Sequence, residues 1–301
     1  MALGTNHVTV TTSATFIPEV WSDEIIASYK KNLVAANLVK KMSFKGKKGD
    51  TVHIPAPTRG DASAKAASTQ VTLIAATESE KTVSINQHWE YSRMIEDIVE
   101  AQALSSLRQF YTDDAGYALA RKVDSTLVQL GRGANGGDGT ANYTGAYSGA
   151  DGTTAYTGTA GALTDAAIRR SIQRLDDNDV PMDGRFLIVP PSTRNTLMGI
   201  ARFTEQAFVG EVGGGNTIRN GEVGNVYGIP VFVSTNADTA TDGDRICLLG
   251  HKDFAILVEQ MGVRTQTQYK QEYLGTLFTA DVLFGAAELR DASAVALAVP
   301  A

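Results

Sequence analysis

Apolar positions along this chain follow two periodicities that change at definite points. From Pro18 onward, Trp21, Ile25, Tyr29 and Leu33 recur every four residues, the spacing of one helical face, and Pro18 suits a helix start. The spacing predicts an amphipathic helix to about Lys41. Between Thr51 and Trp89 the period becomes two: Val52 and Ile54 alternate with Thr51 and His53, and Val83, Ile85, Gln87 and Trp89 share a face. Two long strands are predicted there. The run between them, with Pro55, Pro57, Gly60 and the small residues Asp61 to Thr69, holds little that anchors a core, so it is expected to project from the body. Exposed strand edges leave backbone donors and acceptors open, and native proteins cover them or pair them with another chain.

Leu104, Leu107, Tyr111, Ala115, Leu119, Val123, Leu127 and Leu130 then advance in steps of three and four, the clearest helical pattern in the chain. A helix of that span is roughly 40 Å long, and Gly131 is expected to stop it. Residues 131–161 are almost wholly Gly, Ala, Thr, Tyr, Asn, Asp and Ser, a composition for loop or irregular β structure and an internal boundary. Thr164 and Asp165 supply capping signals for a helix carrying Ile168, Ile172 and Leu175. It ends in an acidic turn at Asp176, Asp177, Asn178 and Asp179. A buried strand, Phe186 to Val189, and a short helix from Pro190 through Leu197 and Ile200 follow, so strand and helix alternate here as in an α/β layer. After a second Gly-rich loop at 210–224, strands are predicted at Val226 to Ser234, Arg245 to Leu249, Phe254 to Glu259, Val263 to Tyr273, Leu277 to Leu289 and Ala294 to Val299.

With 301 residues, 43% of them hydrophobic and 20% charged, the chain can bury a sizeable core, which excludes wholesale disorder. The single cysteine, Cys247, excludes an internal disulfide framework and a thiolate metal cage. It lies in an apolar run and is expected to act as a small buried hydrophobe. The start of the chain shows no basic region followed by an apolar core, and no apolar stretch reaches the length of a membrane span. A soluble protein made in the cytoplasm is the expectation. Charge is unevenly placed: residues 1–60 hold eight Lys/Arg and four Asp/Glu, the remainder nineteen and twenty-nine. A basic extension on an acidic body favours association of like chains.

Motifs for catalysis are weak. Gly131, Gly133 and Gly136 satisfy GxGxxG but end a helix, where the dinucleotide fingerprint must open one, so a plain linker is expected. The acidic turn 176–183 lacks the Gly and Glu of a calcium loop in any register. His7, His53, His88 and His251 lie far apart, with no paired metal-ligand spacing. The Lys40 to Lys48 cluster has only Phe44 for stacking, so specific nucleic-acid recognition is not expected. Devices for association thus outnumber devices for chemistry.

Taken in order, these elements resemble the major capsid proteins of tailed bacteriophages, the Hong Kong 97-like fold. The resemblance covers nearly the whole chain. It is carried by Leu163 to Leu175 with Val180 to Pro191, by Gly228 to Ser234, and by Thr82 to Tyr91 with Glu96 to Gln102. It implies an α+β fold with an N-terminal arm (1–43), an extended loop (44–90), a peripheral domain (91–132 and 251–290) with a long spine helix, a Gly-rich insertion (133–159), and an axial domain (160–250 and 291–301). Residues 202–225 are the candidate for the axial domain's central loop. It further implies a coat protein, not an enzyme and without cofactors or metals, that self-assembles as hexamers and pentamers into an icosahedral head around double-stranded DNA. The implied contacts between subunits are Lys45, Lys47, Lys48, Arg59 and Lys65 on the arm and extended loop, and Arg202, Phe203, Glu205, Phe208 and Arg219 on the axial loop. Only about seventeen residues precede the first expected helix, so a separate scaffolding protein is implied, along with a portal protein, decoration proteins and assembly in the host bacterial cytoplasm. Some members join neighbours through a covalent Lys–Asn bond, but Lys65 at the loop tip is one lysine among eight in residues 30–65 and identifies no such bond, so noncovalent cohesion is the expectation. Two alternatives stay open: an encapsulin-type compartment of the same fold, and a cytoplasmic α/β enzyme using His88, His251 and an Asp.

Overall fold

The computed structural model describes residues 35–57, 60, 62–71, 73, 78–98, 107–200 and 224–301. The expected helix face at Trp21, Ile25, Tyr29 and Leu33 lies outside these residues, as do His7, Arg59 and the 202–223 stretch. In chain order the elements are α1 (Ala35–Leu38), β1 (Lys40–Ser43), β2 (Thr51–Pro57), β3 (Glu78–Ser84), β4 (Gln87–Glu96) and α2 (Leu107–Gln129). A 3-10 segment (Leu130–Gly136), β5 (Tyr147–Ser148), α3 (Asp165–Asp177), β6 (Arg185–Val189) and α4 (Pro191–Met198) follow. The chain closes with β7 (Asn225–Val226), β8 (Ile229–Val233), β9 (Arg245–His251), β10 (Ala255–Lys270), β11 (Gly275–Glu288), a short 3-10 turn (Asp291–Ser293) and β12 (Ala294–Val299).

One sheet has the order β1, β10, β11, β4, with β1 parallel to β10 and the other pairs antiparallel. A mixed sheet has the order β5, β12, β9, β6, β8, β7. β2 and β3 form a separate antiparallel hairpin. The central strands β6, β9 and β12 of the mixed sheet are buried on both faces, and their period of two shows how. Phe186, Ile188, Ile246, Leu248, Ala294, Ala296 and Ala298 face one core, while Leu187, Val189, Cys247, Leu249, Val295, Leu297 and Val299 face another, roofed by Ala167, Ile168 and Leu175 of α3 and Leu197 of α4. The first core is shared: Leu119, Val123 and Leu127 of α2 pack there together with Leu257, Phe278, Val282 and Phe284 of the four-stranded sheet. Burying each such side chain stabilises the fold by roughly 1.5–3 kcal/mol. The long helix therefore ties both sheets together, over about 34 Å for its 23 residues.

Several elements depart from the sequence pattern. Helix α1 ends at Leu38, short of the expected Lys41, because Lys40 to Ser43 are taken as an edge strand by β10, with Lys40 opposite Ile256. The returning strand expected through Trp89 is two strands in different sheets, breaking at Ile85–Asn86. Gly285 makes the crossing possible: a Cβ there would lie 2.6 Å from the Ser84 carbonyl oxygen. β4 continues to Glu96, so the segment read as leading into the spine helix begins as strand. Val226 to Ser234 is a hairpin, because Tyr227 and Gly228 both take positive φ (52° and 80°), the conformation of a tight two-residue turn. Phe254 to Glu259 and Val263 to Tyr273 merge into the single strand β10, its register shifting around Met261. The Gly-rich segment is packed rather than loose, with Tyr143, Ala146 and Tyr156 buried. The GxGxxG glycines are packing and turn positions: Gly131 lies against Leu248, Gly133 against the Glu288 carboxylate, and Gly136 has φ 75°.

Candidate assembly surfaces and the joints behind them

The β2–β3 hairpin is clamped at one end and bare at the other. At its root, Val83 and Ile85 are buried with Ile256 and Val258, against Phe44, Val52 and Ile54. The Ile85 amide donates to the Asp50 carbonyl at 2.7 Å, and the Gln260 side-chain amide donates to the carbonyls of Lys47 and Gly49 at 3.1 and 2.9 Å. Beyond the root the register runs from Thr51 opposite Ser84 to Pro57 opposite Glu78, and Val83 is the one buried side chain of β3. Past it, Val71 and Leu73 are 60% and 89% exposed. An anchored hairpin that carries apolar residues into solvent at its far end is incomplete as a monomer's surface.

The lysines expected at this surface divide. Lys45 lies 3.7 Å from Glu259 and Lys47 sits over the Phe44 ring, 5.5 Å from its centroid, so both help to hold the hairpin root. Lys48 and Lys65 are exposed. Arg59, Arg202, Phe203, Glu205, Phe208 and Arg219 lie outside the described residues.

Behind these surfaces are polar joints that no motif announced. Asp124, buried on α2, accepts from the Ala35 amide at 2.7 Å and from Asn236 Nδ2 at 2.8 Å, tying α1, the long helix and the stretch after β8. Arg132 grips Asp238 with two bonds of 2.7 and 3.1 Å, and the Tyr143 hydroxyl donates to the same carboxylate at 2.7 Å. Burial first, then the Asp238 charge, pushes the Tyr143 phenol well above its usual value, so it stays a donor. Arg185, buried in β6, donates to Asp176 Oδ1 and to the Val180 and Pro181 carbonyls at 2.6, 2.6 and 2.9 Å. That clamp is the role of the acidic turn. Lys122 sits 4.0 Å from the centroid of the Trp89 ring, bracing β4 on α2.

The histidines are not brought together. His53 lies 3.1 Å from Glu80 on the hairpin. On β4, His88 lies 3.2 Å from Asp281, which Arg264 also holds at 2.8 and 3.1 Å. At the end of β9, His251 accepts the Asp253 amide proton on Nδ1 (3.2 Å), which leaves Nε2 to donate to the Asp183 carbonyl (2.8 Å). His88 and His251 thus sit on different sheets with separate partners. Among the described residues no group of three or more His, Cys, Asp or Glu could hold a metal ion. Cys247 is fully buried, and burial pushes its thiol up to about 12 despite a contact with Thr193 Oγ1 at 3.6 Å. No helix among the described residues is long and apolar enough to cross a membrane.

An α+β body with the edge strand β1, an anchored projecting hairpin and a helix spanning two sheets is the build of a shell subunit with the Hong Kong 97-like fold. Solved structures share it. Mycobacterium phage Che8 matches with a TM-score of 0.71 at 22% identity, covering 88% of this chain and 90% of that one. The capsid of the cyanophage P-SCSP1u matches with a TM-score of 0.67 at 20% identity, over 87% and 86%. A virus-like particle from Pyrococcus furiosus matches with a TM-score of 0.58 at 10% identity, over 93% and 98%. No curated protein sequence matches the chain. The model of a family described as phage capsid protein matches residues 90–298. The chain belongs to that family: it is a major capsid protein, a structural component of the virion that forms an icosahedral head shell.

Proposed function

We propose that the chain assembles as hexamers and pentamers, with the β2–β3 hairpin of each subunit laid over a neighbour. The observation that carries this reading is the hairpin itself, fixed at its root and presenting Val71 and Leu73 to solvent. Covering them buries apolar surface, and many such contacts add through multivalency. In this reading residues 1–43 are the arm, 44–90 the extended loop, 91–132 and 251–290 the peripheral domain, and 160–250 with 291–301 the axial domain. Lys48, Arg59 and Lys65 make contacts from the loop, and Arg202, Phe203, Glu205, Phe208 and Arg219 from the axial loop; Lys45 and Lys47 act through the hairpin root. The shell encloses double-stranded DNA without sequence-specific binding. Its other partners are a separate scaffolding protein, a portal protein and decoration proteins, and assembly takes place in the host bacterial cytoplasm.

Electron microscopy of the purified chain, alone and with its scaffolding partner, tests the reading. Closed particles with six- and five-fold clusters are expected. A persistent monomer of 32.0 kDa under both conditions overturns it. Protein cargo in place of DNA would assign the particles to an encapsulin-type compartment, a reading that the fold shared with the Pyrococcus furiosus virus-like particle keeps in view.

A further inference from the structure

Glu288, the last residue of β11, occupies an unusual position. Its carboxylate rests directly on the Cα of Gly133, so that a Cβ at that glycine would overlap Oε2. Its other oxygen, Oε1, is buried and has no hydrogen-bond partner. Gly133 lies in the 3-10 segment that continues α2, at a kink where Ala134 and Asn135 leave helical geometry. This segment packs on β12 and on the turn at Asp291–Ser293. Glu288 therefore sits where the four-stranded sheet meets the end of the long helix and the mixed sheet.

The charged groups around it are of both signs. Asp291, three residues on, repels an ionised Glu288, and Lys81 on the hairpin strand β3 attracts it. Arg132, beside Gly133, is already held by Asp238. In the sheet, β10 presents the apolar Ala255 opposite Glu288. A buried oxygen without a donor, next to a second acid, suits a neutral carboxylic acid and penalises a carboxylate.

The geometry points to Glu288 as a proton-operated latch on this joint. Protonated, it stays seated on Gly133 and holds the helix end against the sheet. Ionised, it leaves the seat for Lys81 and solvent, loosening the joint and drawing on the hairpin root at the same time. The latch lies within one chain and holds whether or not the neighbours are arranged as proposed above.

Burial, with Asp291 adding and Lys81 opposing, pushes the Glu288 carboxyl from 4.5 up to about 7. A raised value means the seated state binds the proton more tightly than the open state. The proton's contribution to closure is fully present below about pH 4.5 and is lost as pH rises to about 7, above which it changes no further.

Hydrogen–deuterium exchange on the full chain, corrected for the intrinsic pH dependence of exchange, reads the opening of residues 130–137. Opening is expected to grow by up to roughly tenfold per pH unit within that window and then level off. Glu288→Gln should abolish the pH dependence. Asp291→Asn should move the levelling point to lower pH and Lys81→Met to higher pH; these two keep the test decisive should Glu288→Gln fail to fold. A slope that survives in Glu288→Gln, levelling points that stay put in the other two variants, or no slope in the unaltered chain would overturn the latch.

Discussion

At the scale of single residues, this subunit is held by a few buried polar groups whose partners come from distant parts of the chain. Asp124 is the sharpest case, since it satisfies an amide 89 positions upstream and a side chain 112 positions downstream. Asp124→Ala leaves both donors without an acceptor, and a loss of about 3 kcal/mol is expected in thermal or urea unfolding of the unassembled subunit. Asp124→Asn, which keeps one acceptor oxygen, should recover part of that loss. None of this was legible beforehand, because an Asp on a helix reads as a solvated charge until the fold buries it. Cys247 was legible: its apolar neighbours on both sides already placed it inside. The acidic turn was half legible, as a turn without calcium geometry, but its clamp by Arg185 depends on a strand that folds back beneath it.

Among the elements, the hairpin separates folding from assembly most cleanly. Its root belongs to a small core with β10 and β11, while its outer part leans on little else. Replacing residues 58–77 by an Asn-Gly turn joins Pro57 to Glu78 across an existing pair and suits a two-residue connection. The variant is expected to keep its circular dichroism spectrum and its unfolding midpoint within a few degrees, yet to form no shells in electron microscopy. Shells that still close would show that cohesion resides elsewhere. Alternation gave the two arms of the hairpin correctly. It did not give the break at Ile85, because the period of two runs on through Trp89, whose ring packs under Lys122 on the helix side of the four-stranded sheet while Val83 and Ile85 pack against Ile256 and Val258 on its other side. Only Gly285, some two hundred residues away, reveals where the chain can cross.

For the whole molecule, the basic first sixty residues and the acidic remainder make contact between copies electrostatically favourable. Assembly followed by light scattering is therefore expected to slow as salt rises from about 0.1 to about 1 M, where the screening length falls from roughly 10 to roughly 3 Å. Salt-independent assembly would leave apolar contact as the whole driving force. Periodicity and composition by themselves determined the kind of elements, their order, a mixed fold and a chain built for association, because burial leaves its period on every strand and helix that has a wet and a dry side. Tertiary structure alone decided how the strands divide between sheets, how the Gly-rich stretch packs, which acids are clamped and which side chain comes to rest on Gly133. Those outcomes depend on contacts between residues far apart in the chain, and a local pattern carries no record of what will be folded against it.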